Sequence, residues 1–316
     1  MGAAREAAGP GPRRSRAAPP RPGGPVPGGR VRALITGASS GVGRATAHQL
    51  AAAGWDLHLA SRSPGPLEDA AAECRAHGAG EVTVHVCDVA DRSAVARLLA
   101  GVPPPDAVVH APATLAYGRF EDVPADVFDA AVRTTLNGTA HVAQEALRAF
   151  ARAGDAGHLV LVGSLLGEIP VPTMSSYCTA KWGVHGLARC LQVETRSLPQ
   201  VHVSLVGLGA VRTPVYVQAG TYQGRRGRPA PPSVSTEHAA RQVVRVLARP
   251  RRLRRVGVLT APTAWGHRWA PWAYDAMITP LFEAFGLERG IDHGRDGPGN
   301  VLAPTPEGEA VDHRYR

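Results

Sequence analysis

Tyr177 and Lys181 stand four residues apart in Tyr177-Cys178-Thr179-Ala180-Lys181, and Ser164 lies thirteen residues before the tyrosine. On a helix, side chains at i and i+4 share a face, so the phenol and the ammonium point into the same space. A free phenol has a pKa near ~10 and is a poor base at neutral pH. An ammonium at ~4 Å with an effective dielectric of ~20 contributes about 4 kcal/mol, which would lower that pKa by roughly three units. Of the 35 basic residues, Lys181 is the sole lysine. A chain that uses arginine everywhere else keeps lysine where a compact ammonium is needed. Chance survival in a biased composition fits less well, given where the lysine stands.

A second group of residues has the chemistry of phosphate binding. Thr36-Gly37-Ala38-Ser39-Ser40-Gly41-Val42-Gly43 follows a short apolar run and opens a helical pattern. Glycines there let the backbone turn sharply and approach a pyrophosphate, which the helix N-terminus attracts. About twenty residues further on, a dinucleotide fold places the group that reads the adenine ribose. This chain has Ala60-Ser61-Arg62-Ser63, with no acid to accept from a 2′-hydroxyl. Arg62 suits a 2′-phosphate instead, which favours NADP over NAD.

These residues must be held by alternating strands and helices. Strands are expected at 31–36, 56–61, 82–87, 107–111, 158–163, 201–207 and 255–259. Helices are expected from the glycine turn to 53, then at 67–77, 93–100, 125–153, 176–198 and 236–249. Short apolar runs between amphipathic helices indicate a parallel sheet covered on both faces. The fold class is therefore α/β: a doubly wound parallel sheet of about seven strands in a three-layer α/β/α sandwich. Residues 212–235, rich in Gly, Pro and Arg, read as a mobile loop. Beyond 259 the alternation stops.

Composition narrows the remaining classes. With 44% apolar and 19% charged residues the chain can bury a full core. No run approaches about 18 apolar residues, so a spanning helix is excluded. Four cysteines without paired spacing and histidines without a ligand pattern argue against disulfides and metal, and for a cytoplasmic protein. The net charge of +9 resembles a nucleic-acid signal, but residues 1–30 carry +5 of it along with seven Gly and seven Pro. The segment 1–29 reads as a disordered tail without the apolar core of a signal peptide, and nucleic-acid binding is the weaker reading.

Together the motifs resemble the short-chain dehydrogenase/reductase family, a Rossmann-like fold, over about residues 31–259. The resemblance implies that Gly37, Ser39, Ser40, Gly41, Val42 and Gly43 form the cofactor turn and that Ser164, Tyr177 and Lys181 are catalytic. It further implies that Asp88 and Val89 contact adenine, that Thr213 contacts the nicotinamide carboxamide, and that Tyr177 and Lys181 also touch the cofactor. A homo-oligomer is implied as well. Three positions depart from the family pattern. His110-Ala111-Pro112-Ala113 replaces Asn-Asn-Ala-Gly, Leu208-Gly209 replaces Pro-Gly, and Thr135 aligns with the family's catalytic Asn. That Asn helps hold a water linking the lysine to solvent, a role open here to Thr135 or to Asn137.

The expected organisation is a tail at 1–29, a dinucleotide-binding and catalytic domain at 30–260, and an aromatic, partly irregular extension at 261–316. Trp265, Trp269 and Trp272 have helical spacing, although Pro271 interrupts any continuous helix through them. They either pack against the core or cover the substrate pocket. Alternatively, they form an interfacial surface peripheral to a membrane that draws in lipophilic substrates. The expected function is an NADP(H)-dependent oxidoreductase of bacterial type acting on a small alcohol or carbonyl. The competing expectation is an NADP-binding scaffold or redox sensor without turnover.

Overall fold

The computed structural model describes residues 30–316 except 155, 314 and 316; the tail at 1–29 lies outside the described residues. The main sheet uses β1 (Arg32–Thr36), β2 (Asp56–Ser61), β3 (Val82–Val86), β4 (Ala107–His110), β6 (Gly157–Ser164), β7 (Val201–Leu208) and β9 (Leu253–Val256). All seven are parallel, in the order β3-β2-β1-β4-β6-β7-β9. A small sheet joins β5 (Ala116–Tyr117), β8 (Ala219–Thr221) and β10 (Gly297–Gly299) in the order β10-β8-β5.

Period-two geometry explains why the main strands read as unbroken apolar runs. Ala33 and Ile35 point into one core while Leu34 points into the other, and all three are fully buried. The first core includes residues of α1 (Gly41–Ala51), α2 (Pro64–Ala76) and α8 (Thr236–Ala248). The second is closed by α3 (Arg92–Gly101), α5 (Gly138–Arg152) and α6 (Ser175–Glu194). Strand order reverses between β1 and β4, and a crevice opens there at the strands' carboxyl ends. Thr36 pairs with both Ala60 and His110, which brings the ends of three strands to that point.

Several expectations need correction. The helix expected at 125–153 is interrupted: α4 (Ala125–Val132) passes into a π turn over Arg133–Asn137 before α5 begins. Residues 212–235 are not merely a loop. They carry the short helix α7 (Val215–Gln218) and strand β8, and Val234 forms a bridge with Val211 just before the stretch. The last strand ends at Val256 because Gly257, with φ +112°, turns the chain out toward α9 (Thr260–Trp269).

α10 (Pro271–Phe285) starts at the proline, so the tryptophan stripe is divided between two helices. The extension packs through other aromatics. Tyr274 donates to the Pro170 carbonyl at 2.6 Å, and Phe282 stacks on Tyr117 with centroids 6.5 Å apart. Trp265, Trp269 and Trp272 are 70%, 69% and 78% exposed, so they do not pack into the core. Among the described residues, no helix is long and apolar enough to cross a membrane.

Candidate active site

The glycine turn between β1 and α1 is built for close backbone approach. Gly37 and Gly41 adopt φ +71° and +53°, values that L side chains rarely take. A Cβ on Gly43 would stand 2.1 Å from the Gly37 carbonyl oxygen, so this position admits no side chain. Ser40, the N-cap of α1, makes no cap bond of its own to the helix. Gly37, Ser39, Ser40, Gly41 and Val42 line one wall of a cavity of about 590 Å³, while Gly43 lies behind the turn. Asp88 and Val89 after β3, Arg62 after β2, and Thr213 after β7 line the same cavity. A bare backbone turn at a helix N-terminus, an arginine and an open cavity fit a phosphate-bearing dinucleotide.

Ser164, Tyr177 and Lys181 line the same cavity. Ser164 ends β6, where its hydroxyl accepts from the Leu166 amide at 3.1 Å. Tyr177 and Lys181 lie one turn apart on α6, with the ammonium 5.7 Å from the phenol ring centroid. Lys181 is buried and donates to the Val162 carbonyl at 2.8 Å. The expected lowering of the phenol pKa is not seen. Burial pushes Tyr177 up to about 12, with a hydrogen bond from Ser164 pulling the other way. Burial also pulls Lys181 down to about 8. Desolvation penalises the charged form of each group and is the largest cause of both shifts.

The departures from the family pattern have structural consequences. Thr135 sits in the π turn, and its hydroxyl accepts from the Thr114 amide at 3.2 Å and reaches the Thr114 carbonyl at 3.3 Å. Those bonds use the Thr135 proton and one of its two lone pairs, and Asn137, the other candidate for holding the water, is exposed. His110, where the family has Asn, is buried and shares a 2.8 Å hydrogen bond with the Thr36 hydroxyl. Burial, reinforced by the nearby Lys181 charge, lowers His110 to about 3, so it is a neutral imidazole. Its Nε2 is buried without a partner.

Sequence reasoning missed the C-terminal segment, which lies along the cavity. Arg62 donates to the Asn300 carbonyl at 2.9 Å, and the Gly41 amide donates to the Ala310 carbonyl at 2.7 Å. Ser63 donates to the Glu309 carboxylate, and the Tyr315 hydroxyl donates to the Thr213 carbonyl. The segment is anchored through Val301, which is buried in a cluster with Val123 and Val127.

The family described as short chain dehydrogenase matches residues 31–223. The chain belongs to that family. Membership bears out the fold expected from the motifs. The "Probable oxidoreductase EphD" of Mycobacterium tuberculosis is 31% identical over 206 residues, covering 61% of this chain and 35% of that protein. The chain thus spans little more than a third of that relative. "Carbonyl reductase [NADPH] 2" of Sus scrofa is 30% identical over 164 residues, covering 52% of this chain and 65% of that one. Among solved structures, an alcohol dehydrogenase from the archaeon Thermococcus sibiricus, complexed with 5-hydroxy-NADP, superposes with a TM-score of 0.62. It shares 26% identity, over 72% of this chain and 95% of that one.

Proposed function

We propose that the protein is an NADP(H)-dependent oxidoreductase that interconverts a lipophilic alcohol and its carbonyl. The observation that carries this reading is a single cavity lined both by the glycine turn and by Ser164, Tyr177 and Lys181. Support for NADP comes from Arg62 after β2, and from two relatives whose names specify NADPH or an NADP derivative. The glycine turn would hold the pyrophosphate, Arg62 the 2′-phosphate, Asp88 and Val89 the adenine, and Lys181 the nicotinamide ribose. Thr213 would meet the carboxamide.

When bound, the nicotinamide supplies or accepts the hydride. The protein's part is proton handling and orientation. Tyr177, with a pKa of about 12, is a protonated acid at neutral pH. It donates its proton to the substrate oxygen in reduction and recovers it in oxidation. Ser164 hydrogen-bonds Tyr177 and orients the substrate oxygen. Lys181 holds a positive charge beside the phenol when the proton leaves. Around Tyr177 the cavity is walled by Leu115, Leu166, Ile169, Met174, Ile278 and Phe282, which favours apolar substrates.

A panel of aliphatic and aromatic aldehydes, ketones and alcohols, followed by NADPH absorbance, tests the reading. Wild type should turn over at least one apolar member, while Tyr177→Phe should bind NADPH but lose turnover by about 100-fold or more. NADPH binding by the wild type without turnover of any substrate would favour the scaffold instead.

A further inference from the structure

The C-terminal segment meets the proposed cofactor site at the very groups assigned to the dinucleotide. Its Ala310 carbonyl oxygen accepts from the Gly41 amide at 2.7 Å and from the Ser40 hydroxyl at 3.1 Å. A carbonyl oxygen therefore caps the α1 N-terminus, where a pyrophosphate oxygen would sit. One residue earlier, the Glu309 carboxylate accepts from Ser63, the N-cap of α2, and Glu309 lines the cavity together with Arg62. Further on, Tyr315 donates to the Thr213 carbonyl and packs edge-on against Tyr216, with centroids 5.7 Å apart. The segment thus presents electronegative groups at the two points where a phosphorylated dinucleotide carries its own.

We infer that residues 305–313, with Tyr315, act as a built-in competitor, docked along the dinucleotide site and displaced when the cofactor enters. The inference rests on the reading of this cavity as a dinucleotide site. Ala310 O and a pyrophosphate oxygen cannot share the Gly41 amide, and the Glu309 carboxylate repels a phosphate brought to Arg62. The segment has a fixed root. β10 pairs with β8, the Asn300 amide donates to the Gln218 carbonyl at 2.8 Å, and Val301 is 2% exposed. The docked portion beyond that root is held less completely, since Glu309 Oε2 is buried without a hydrogen-bond partner. An unsatisfied carboxylate oxygen favours release into water, which keeps docking reversible.

The test compares the full chain with one lacking residues 304–316, which keeps Asn300 and Val301. A segment docked for about 90–99% of the time weakens apparent affinity about 10- to 100-fold, so the shortened chain should bind NADPH tighter by that factor in calorimetry. A synthetic peptide of residues 304–316 should restore the weaker affinity. If truncation impairs folding, full-length Glu309→Ala/Tyr315→Phe should tighten binding in the same direction. Hydrogen exchange supplies a readout independent of turnover. NADPH should raise exchange in residues 305–313 while residues 36–43 stay protected. Unchanged or weaker NADPH affinity on truncation, or tail exchange that falls with NADPH, would overturn the competitor role while leaving the dinucleotide reading intact. If neither chain binds NADPH or NADH at millimolar concentration, the dinucleotide reading fails, and the competitor role fails with it.

Discussion

Lys181 gives its hydrogen bond to the Val162 carbonyl oxygen, 2.8 Å away on the neighbouring strand β6. The ammonium is thereby fixed in a dry site whose burial lowers its pKa from 10.5 to about 8. The folded pKa lies below the unfolded one, so between about pH 8 and pH 10.5 the unfolded chain binds more protons. Stability from this group therefore rises with pH through that window and is lowest below it. At neutral pH the buried charge costs about 3 kcal/mol, against about 1 kcal/mol for the Val162 bond. Lys181→Met should accordingly be as stable as wild type at pH 7, or more stable by up to about 2 kcal/mol. Its advantage should shrink as pH rises toward 10. Urea melts at pH 7 and pH 9.5 measure this, and a variant clearly less stable at pH 7 would refute the account.

The glycine turn makes a packing prediction. A Cβ at Gly43 would lie 2.1 Å from Gly37 O and 2.8 Å from Gly37 C, both backbone atoms that no rotamer change can move. The turn would have to open, and Gly37 is itself confined, since a Cβ there would meet the Pro112 nitrogen at 2.8 Å. Gly43→Ala should lose about 3 kcal/mol of stability and weaken NADPH binding by at least about tenfold. Gly65→Ala, with nothing within 4 Å of the added carbon, is the control and should stay within about 1 kcal/mol of wild type. Similar melting temperatures for the two variants would contradict the steric argument.

Arg62 spends one guanidinium bond on a neutral carbonyl, that of Asn300, and a 2′-phosphate is the stronger acceptor. Arg62→Ala should therefore weaken NADPH binding by about 10- to 150-fold, the equivalent of about 1.5–3 kcal/mol, with little change for NADH. Fluorescence titration of both cofactors measures the ratio. An equal loss for the two would show that Arg62 does not read the phosphate.

The strands were legible because a buried parallel sheet writes itself as apolar runs such as Ala33-Leu34-Ile35, and the glycine turn because its geometry admits few residue types. The 20-residue helix carrying Tyr177 and Lys181 was legible in outline from its spacing. What stayed hidden depends on contacts between segments distant in the chain. The π turn at Arg133–Asn137 brings Thr135 to Thr114, 21 residues away, and no periodicity in the helix announces it. The docking of Ala310 on Gly41 spans most of the chain and uses a backbone carbonyl, which has no side-chain signature. The pKa of Tyr177 was misjudged for a related reason: spacing reports which charges are near, whereas burial depends on everything that surrounds them.

The lone lysine gives the most selective prediction, because Lys181→Arg keeps the charge that this chain carries on arginine everywhere else. A guanidinium can still donate to the Val162 carbonyl, so the fold and the β6 contact should survive. It is planar and bulkier than an ammonium, however, and Lys181 is only 3% exposed, with the buried His110 nearby. It also remains protonated at every accessible pH, whereas the ammonium at about pKa 8 can exchange its proton near neutrality. A displacement of about 1 Å at a reacting centre costs about 100-fold in rate. Lys181→Arg should therefore melt within a few degrees of wild type, lose at least about 100-fold in kcat, and lose much less in NADPH affinity. Circular dichroism melts, steady-state kinetics and cofactor titration on one preparation separate these effects. A folded variant with near-wild-type kcat would mean that positive charge alone is what the site requires of residue 181.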